Sequence, residues 1–167
     1  MIEYQKSSRR EVTLPAPTLV ALLASARGAG AEELGQQGHI AGRLLAERLV
    51  AASDAQKSAR TLPSSVFWKR VTDLFATRGW GHLQHADPAP GVGELAATDW
   101  IEADRAGSGG RCGFTAGLLR GLLEDVSGAE LVVEETECRA AGGSTCRFRF
   151  GTRAAVDAHA VAAASAS

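Results

Sequence analysis

The chain has 167 residues, 45% of them hydrophobic and 22% charged, with a net charge of −1. That length and balance fit one compact domain with a sizeable core and point away from nucleic acid or a charged membrane surface as partner. Three cysteines cannot all pair, so a disulfide-stapled secreted fold is disfavoured, and no apolar run approaches the ~20 residues of a membrane span.

The N-terminus reads SSRREVTLPAPTLVALLASA. Its twin arginines, Arg9 and Arg10, resemble an export signal. Against this, Pro15 and Pro17 interrupt the apolar stretch and Glu3 stands where such signals are cationic. The segment therefore reads as a polar arm over 1–13 followed by a helix over 17–26 with Pro17 in its first turn, and a cytoplasmic location is expected.

Gly28 and Gly30 break the chain, and a longer helix is predicted over 31–52, where Leu34, Ile40, Leu44, Leu45, Leu49 and Val50 recur near helical spacing. Gly35, Gly38 and Gly42 inside it mark places where another backbone must come close. A polar linker at 53–61 precedes a third helix, capped by Ser64 or Ser65 and striped with Phe67, Val71, Leu74 and Phe75. Two strands are predicted at 80–86 and 93–101 around the turn-rich ADPAPGVG. The loop RAGSGG leads to a helix over 112–126, and a final hairpin pairs 131–138 with 146–150 around AAGGS. The Ala-rich tail after Arg153 fits a short helix or a frayed end. The pattern is α+β, with helices packed on one face of a small antiparallel sheet.

The hairpin holds two of the three thiols. With 141–143 as its loop, Cys138 and Cys146 fall opposite each other, Cβ atoms ~5 Å apart. Two thiolates each ~2.3 Å from one zinc ion need a similar spacing. Cys112, at a predicted helix start where dipole and free N–H groups favour a thiolate, is the third. The same residues also fit as small buried hydrophobes. A fourth ligand could be Glu134, Glu135, Glu137, His82 or His85. Strand alternation prefers Glu134, which shares the face of Cys138, unless a bulge near Thr136 reverses the order.

The run CGFTAGLLRGLLEDVSGAELVVEETECRAAGGSTCRFRF resembles the 4-vinyl reductase domain family: a Cys opening a glycine-containing helix, then E-T-x-C, a glycine-rich turn and C-x-F. GQQGHIAGRLLAERL is similar to the family's opening glycine helix, and ATRGWGHLQ to its G-W-G strand entry, so the resemblance spans about 28–151, with 1–27 and 152–167 as flanks. The family includes sensor regions of aromatic-responsive transcription activators and a protein associated with bacteriochlorophyll vinyl reduction, on a fold like the small subunits of the TRAPP tethering complex. The resemblance implies a zinc ion held by Cys112, Glu135, Cys138 and Cys146, choosing Glu135 over Glu134. It also implies an apolar pocket for a small aromatic molecule, for which Phe67, Trp68, Trp80, His82, Trp100 and Phe114 are the bulky candidates. Trp80 and His82 alternate onto one face of a strand and could stack and hydrogen-bond as a pair.

Other motifs say less. His82 and His85 face opposite ways along a strand, which disfavours a second metal site, and His39 reads as a surface or interface residue. RAGSGGRCG lacks the Lys-Ser/Thr ending of a phosphate loop. The expected function is a zinc-stabilised sensor or carrier for a hydrophobic or aromatic ligand, homodimeric, signalling to a partner protein through the glycine-marked helix. The alternatives are a vinyl-tetrapyrrole reductase or its accessory, and a ligand-free interaction adaptor.

Overall fold

The computed structural model describes residues 15–26, 31–51, 62–104 and 111–165. The expected N-terminal arm, the Gly28–Gly30 break, the linker at 53–61 and the RAGSGG loop lie outside them.

Four strands form one antiparallel sheet: β1 (His82–Ala89), β2 (Val92–Thr98), β3 (Val132–Glu137) and β4 (Cys146–Gly151), in the order β1-β2-β4-β3. Leu95 lies opposite Phe148 and Ala97 opposite Cys146 on the two central strands. These four side chains and Leu83 of β1 are buried, and they share the inner face. The alternate residues make the outer face, where Arg147 donates to Glu94 at 2.8 Å and to Glu137 at 3.2 Å. One buried and one charged face is what strand alternation produces when helices cover a single side.

The helices are α1 (Ala16–Ala26), α2 (Ala31–Ala51), α3 (Ser64–Thr77), α4 (Gly113–Ser127) and α5 (Arg153–Ser165). Phe67, Val71 and Phe75 of α3 and Leu118, Leu119, Leu122 and Leu123 of α4 join the strand residues in one core. The expected α+β layering is therefore present. The Ala-rich tail is helical and docks at the end of β4, where Val156 is buried beside Gly151.

The helix glycines show why α2 and α4 lie so close. A Cβ on Gly38 would sit 2.1 Å from the Phe114 carbonyl oxygen, and one on Gly42 would sit 2.0 Å from that of Leu118. From the other side, Gly117 faces the Gly35 carbonyl at 1.9 Å and Gly121 faces that of His39 at 2.1 Å. Small residues on both helices let the backbones touch. The expectation that this glycine stripe meets a partner protein is thus corrected: it is spent on α4 within the same chain. The outward side of α2 instead carries Ile40 and Leu44, 51% and 44% exposed.

Two strand boundaries also differ from expectation. β1 begins at His82 and runs through Pro88 to Ala89, so most of ADPAPGVG is strand, and the turn shrinks to Pro90 and Gly91. β1 is an edge strand with a register shift between Ala86 and Ala89, where proline's missing N–H costs no ladder bond. β2 stops at Thr98, because Asp99 takes a φ of 51° and residues Ile101–Ala103 form a 3-10 turn.

Candidate metal centre and aromatic cluster

Cys112, Glu135, Cys138 and Cys146 are all buried, and their ligating atoms lie within 4.8 Å of one another. The Cys112 sulfur is 3.8 Å from that of Cys138 and 3.7 Å from that of Cys146. Those separations match the edge, ~3.8 Å, of a tetrahedron with ~2.3 Å zinc–sulfur bonds. Three elements converge to make the cluster. Cys112 is the N-cap residue of α4, Glu135 stands on β3, and Cys146 opens β4. Cys138 follows β3 directly; extending the Glu137–Arg147 pairing by one residue sets it opposite Cys146, as the hairpin spacing predicts.

The choice among the three glutamates follows from what each one touches. Glu134 points to the outer face and accepts from Arg153 at 2.5 Å. Glu137 holds the turn, accepting from the backbone of Ser144 at 2.7 Å and of Thr145 at 3.2 Å; these bonds, that from Thr145 first, hold its carboxyl below the usual range. Glu135 turns inward. The pairing slips between Glu135 and Glu137, so a bulge at Thr136 reverses the simple alternation that favours Glu134. Its Oε2 accepts the Cys112 N–H at 2.8 Å, while Oε1 is buried with no partner among the described residues. An orphaned carboxylate oxygen beside three converging thiols is what a cation would satisfy. The residues fit a metal ion.

The sequence predicts that the free N–H groups at the start of α4 favour a thiolate on Cys112. Those N–H groups are taken by carboxylates instead. Glu102, fully buried in the 3-10 turn, accepts from the Phe114 N–H at 3.1 Å, the Thr115 N–H at 2.8 Å and the Thr115 hydroxyl at 2.6 Å. Neither Glu102 nor Thr115 stands out in the sequence. The available signal is the absence of a capping side chain in RCGF, which leaves a buried helix start to be capped from elsewhere. Among the thiols, a hydrogen bond from Cys112 draws Cys146 down to about 7, helped by the Arg139 N–H at 3.5 Å. Burial pushes Cys138 up to about 11, and bonding to Cys146 followed by burial pushes Cys112 up as well.

The aromatic candidates divide into two groups. Trp80 stacks on Phe114 with centroids 6.0 Å apart, and both Trp80 and Trp100 pack around Phe75. Trp100 is fully buried and its indole N–H donates to Thr115 at 2.8 Å, so that donor is already engaged. Phe67 and Trp68 form the second group, in which Trp68 stacks on His85 at 4.0 Å and lies 5.5 Å from Phe150. His82 belongs to neither group and is exposed. The expected Trp80–His82 pair fails because Gly81, at a φ of 123°, turns the chain between them. His85 is the histidine that stacks. His39 bonds Glu124 of α4 at 2.7 Å, an interface within the chain.

Over residues 101–152 the sequence matches the family model of the 4-vinyl reductase domain. No curated protein matches it significantly. Among solved structures, the phenol-responsive sensory domain of the transcription activator PoxR, determined with phenol, superposes with a TM-score of 0.67 at 19% identity, covering 86% of this chain and 77% of that one. A trafficking protein particle complex subunit 3 from Naegleria fowleri, covalently bound to palmitic acid, gives 0.60 at 14% identity over 81% of this chain and 89% of that one. A vinyl-4-reductase family protein from Methanocaldococcus jannaschii gives 0.57 at 18% identity over 85% and 83%. At these identities the likeness is one of fold. It reaches well N-terminal of the family match, across helices whose sequence carries a weaker signature. No helix among the described residues is long and apolar enough to cross a membrane.

Proposed function

We propose, for a chain that carries a 4-vinyl reductase domain over residues 101–152, that it is a metal-clasped module that senses or carries a small hydrophobic, aromatic molecule. One observation supports this most: the first turn of α4 serves both sites. Cys112 belongs to the thiol cluster and Phe114, two residues on, stacks with Trp80 in the aromatic group. The PoxR domain, similar in fold and determined with phenol, points to the ligand class. Trp80 and Phe114, partly exposed at the edge of the group, are the side chains best placed to meet such a ligand, with Trp68 in the neighbouring group.

Cys112, Cys138, Cys146 and the free oxygen of Glu135 would hold the ion, taken as zinc from the thiolate-rich set. A zinc ion with four protein ligands has no open position and supplies stability, joining α4 to the last hairpin. The outward face of α2, with Ile40 and Leu44 exposed, is the surface we assign to a second copy of the chain.

Native mass spectrometry on protein purified without added metal, followed by a phenol titration read by tryptophan fluorescence, tests these assignments. One zinc per chain, a dimeric mass and saturable quenching are expected. A zinc-loaded chain indifferent to phenol and to a panel of other aromatics overturns the sensor reading and leaves the clasp. A folded, metal-free chain overturns the clasp, and a monomeric mass overturns the dimer.

A further inference from the structure

Arg139 stands between the two sites. It opens the 3-10 turn Arg139–Ala141 that follows Cys138, and its N–H donates to the Cys146 sulfur at 3.5 Å. Its side chain leaves the cluster and reaches the aromatic core: Nη2 donates to the Trp100 carbonyl at 3.2 Å and to the Asp104 carboxylate. One residue thus touches a candidate ligand through its backbone and the polypeptide beneath the aromatic group through its guanidinium. The Arg139 Nε–H is buried and has no partner among the described residues, and neither does the Thr145 hydroxyl, next to Cys146. These two orphaned donors belong to residues that adjoin two of the thiols.

From this geometry we infer that Arg139 is a positioning residue of the metal centre. Four anionic ligands around a divalent ion leave excess negative charge in a buried site. A cation and spare N–H donors in the adjoining turn offset that charge and fix the sulfur orientations. By gripping Trp100 and Asp104, Arg139 also locks the turn that presents Cys138 and the Cys146 contact. The inference rests on the metal reading above, and its test separates the two.

The experiment loads the full chain with Co(II), whose thiolate charge-transfer and ligand-field bands report the sulfur environment independently of global stability. Zinc release to a chelator is then followed in the parent and in Arg139→Gln, Arg139→Lys and Asp104→Asn. All four are expected to bind one ion per chain. Arg139→Gln should shift the Co(II) bands and release zinc on the order of 10-fold faster, the usual scale for an outer-shell partner. Arg139→Lys should recover much of the difference, and Asp104→Asn should move in the same direction by less. Should Arg139→Gln not fold, the lysine and Asp104 variants carry the comparison. Spectra and release rates unchanged across the variants, with one ion bound in each, overturn the role of Arg139 and leave the clasp standing. A parent chain that binds neither ion overturns the clasp and this role together.

Discussion

Replacing Gly117 by Ala should destabilise the protein, while the same change at Gly35 should stabilise it. A Cβ on Gly117 would lie 1.9 Å from the Gly35 carbonyl oxygen and 2.8 Å from its carbon. Carbon–oxygen contacts settle at ~3.3 Å or more, so α2 and α4 must part locally by over ~1 Å. They cannot part freely, because Gly38, Gly42 and Gly121 hold the same two backbones together along the interface. Overpacking of this kind costs ~1–3 kcal/mol or more when both obstacles are backbone, against ~1 kcal/mol gained from replacing a helical glycine. A Cβ on Gly35 meets only the Gly113 carbonyl oxygen, at 3.8 Å, so the helix-propensity gain of ~1 kcal/mol is unopposed. For a chain of this size ~1 kcal/mol moves Tm by ~2–4 °C, so thermal melts should show Gly35→Ala above the parent and Gly117→Ala below it. A Gly117→Ala melt at or above that of Gly35→Ala would refute the close-approach account.

Glu135→Gln should weaken zinc retention by at least ~10-fold in chelator competition, whereas Glu134→Gln, on the outer face with Arg153, should leave it unchanged. Glu102→Gln removes the charge that caps α4 through three hydrogen bonds and should cost ~2 kcal/mol in urea denaturation; a loss within error of zero would mean that another group caps the helix. Burial lowers the pKa of His85 against the opposing pull of Asp87, so the folded state prefers the neutral ring stacked on Trp68. The unfolded chain then binds more protons below its ordinary value of 6.5, and stability present above that pH should fall on acidification through it, by at most ~1.4 kcal/mol per pH unit. His85→Gln should flatten that part of the stability–pH curve.

Much of this protein is legible in its sequence because the signals are local. Helical spacing places α2, α3 and α4 within a residue or two, the spacing of Cys138 and Cys146 around a glycine turn describes their hairpin, and the E-T-x-C run points to Glu135. These are properties of a few consecutive residues, governed by backbone periodicity and turn chemistry. The tertiary structure decided whatever depends on what lies opposite. The α2 glycines announce a close approach but not with whom, and only the packing shows carbonyls of α4 against them. Alternation along β3 selects Glu134 until a bulge, settled by pairing with β4, turns Glu135 inward. Glu102 and Arg139 look like ordinary surface charges in DWIEAD and ECRAA; their roles arise because one faces an uncapped helix start and the other reaches Trp100, 39 residues away in sequence. Hydrogen-bond partners so far apart leave no periodic trace, because only the folded chain brings them within reach.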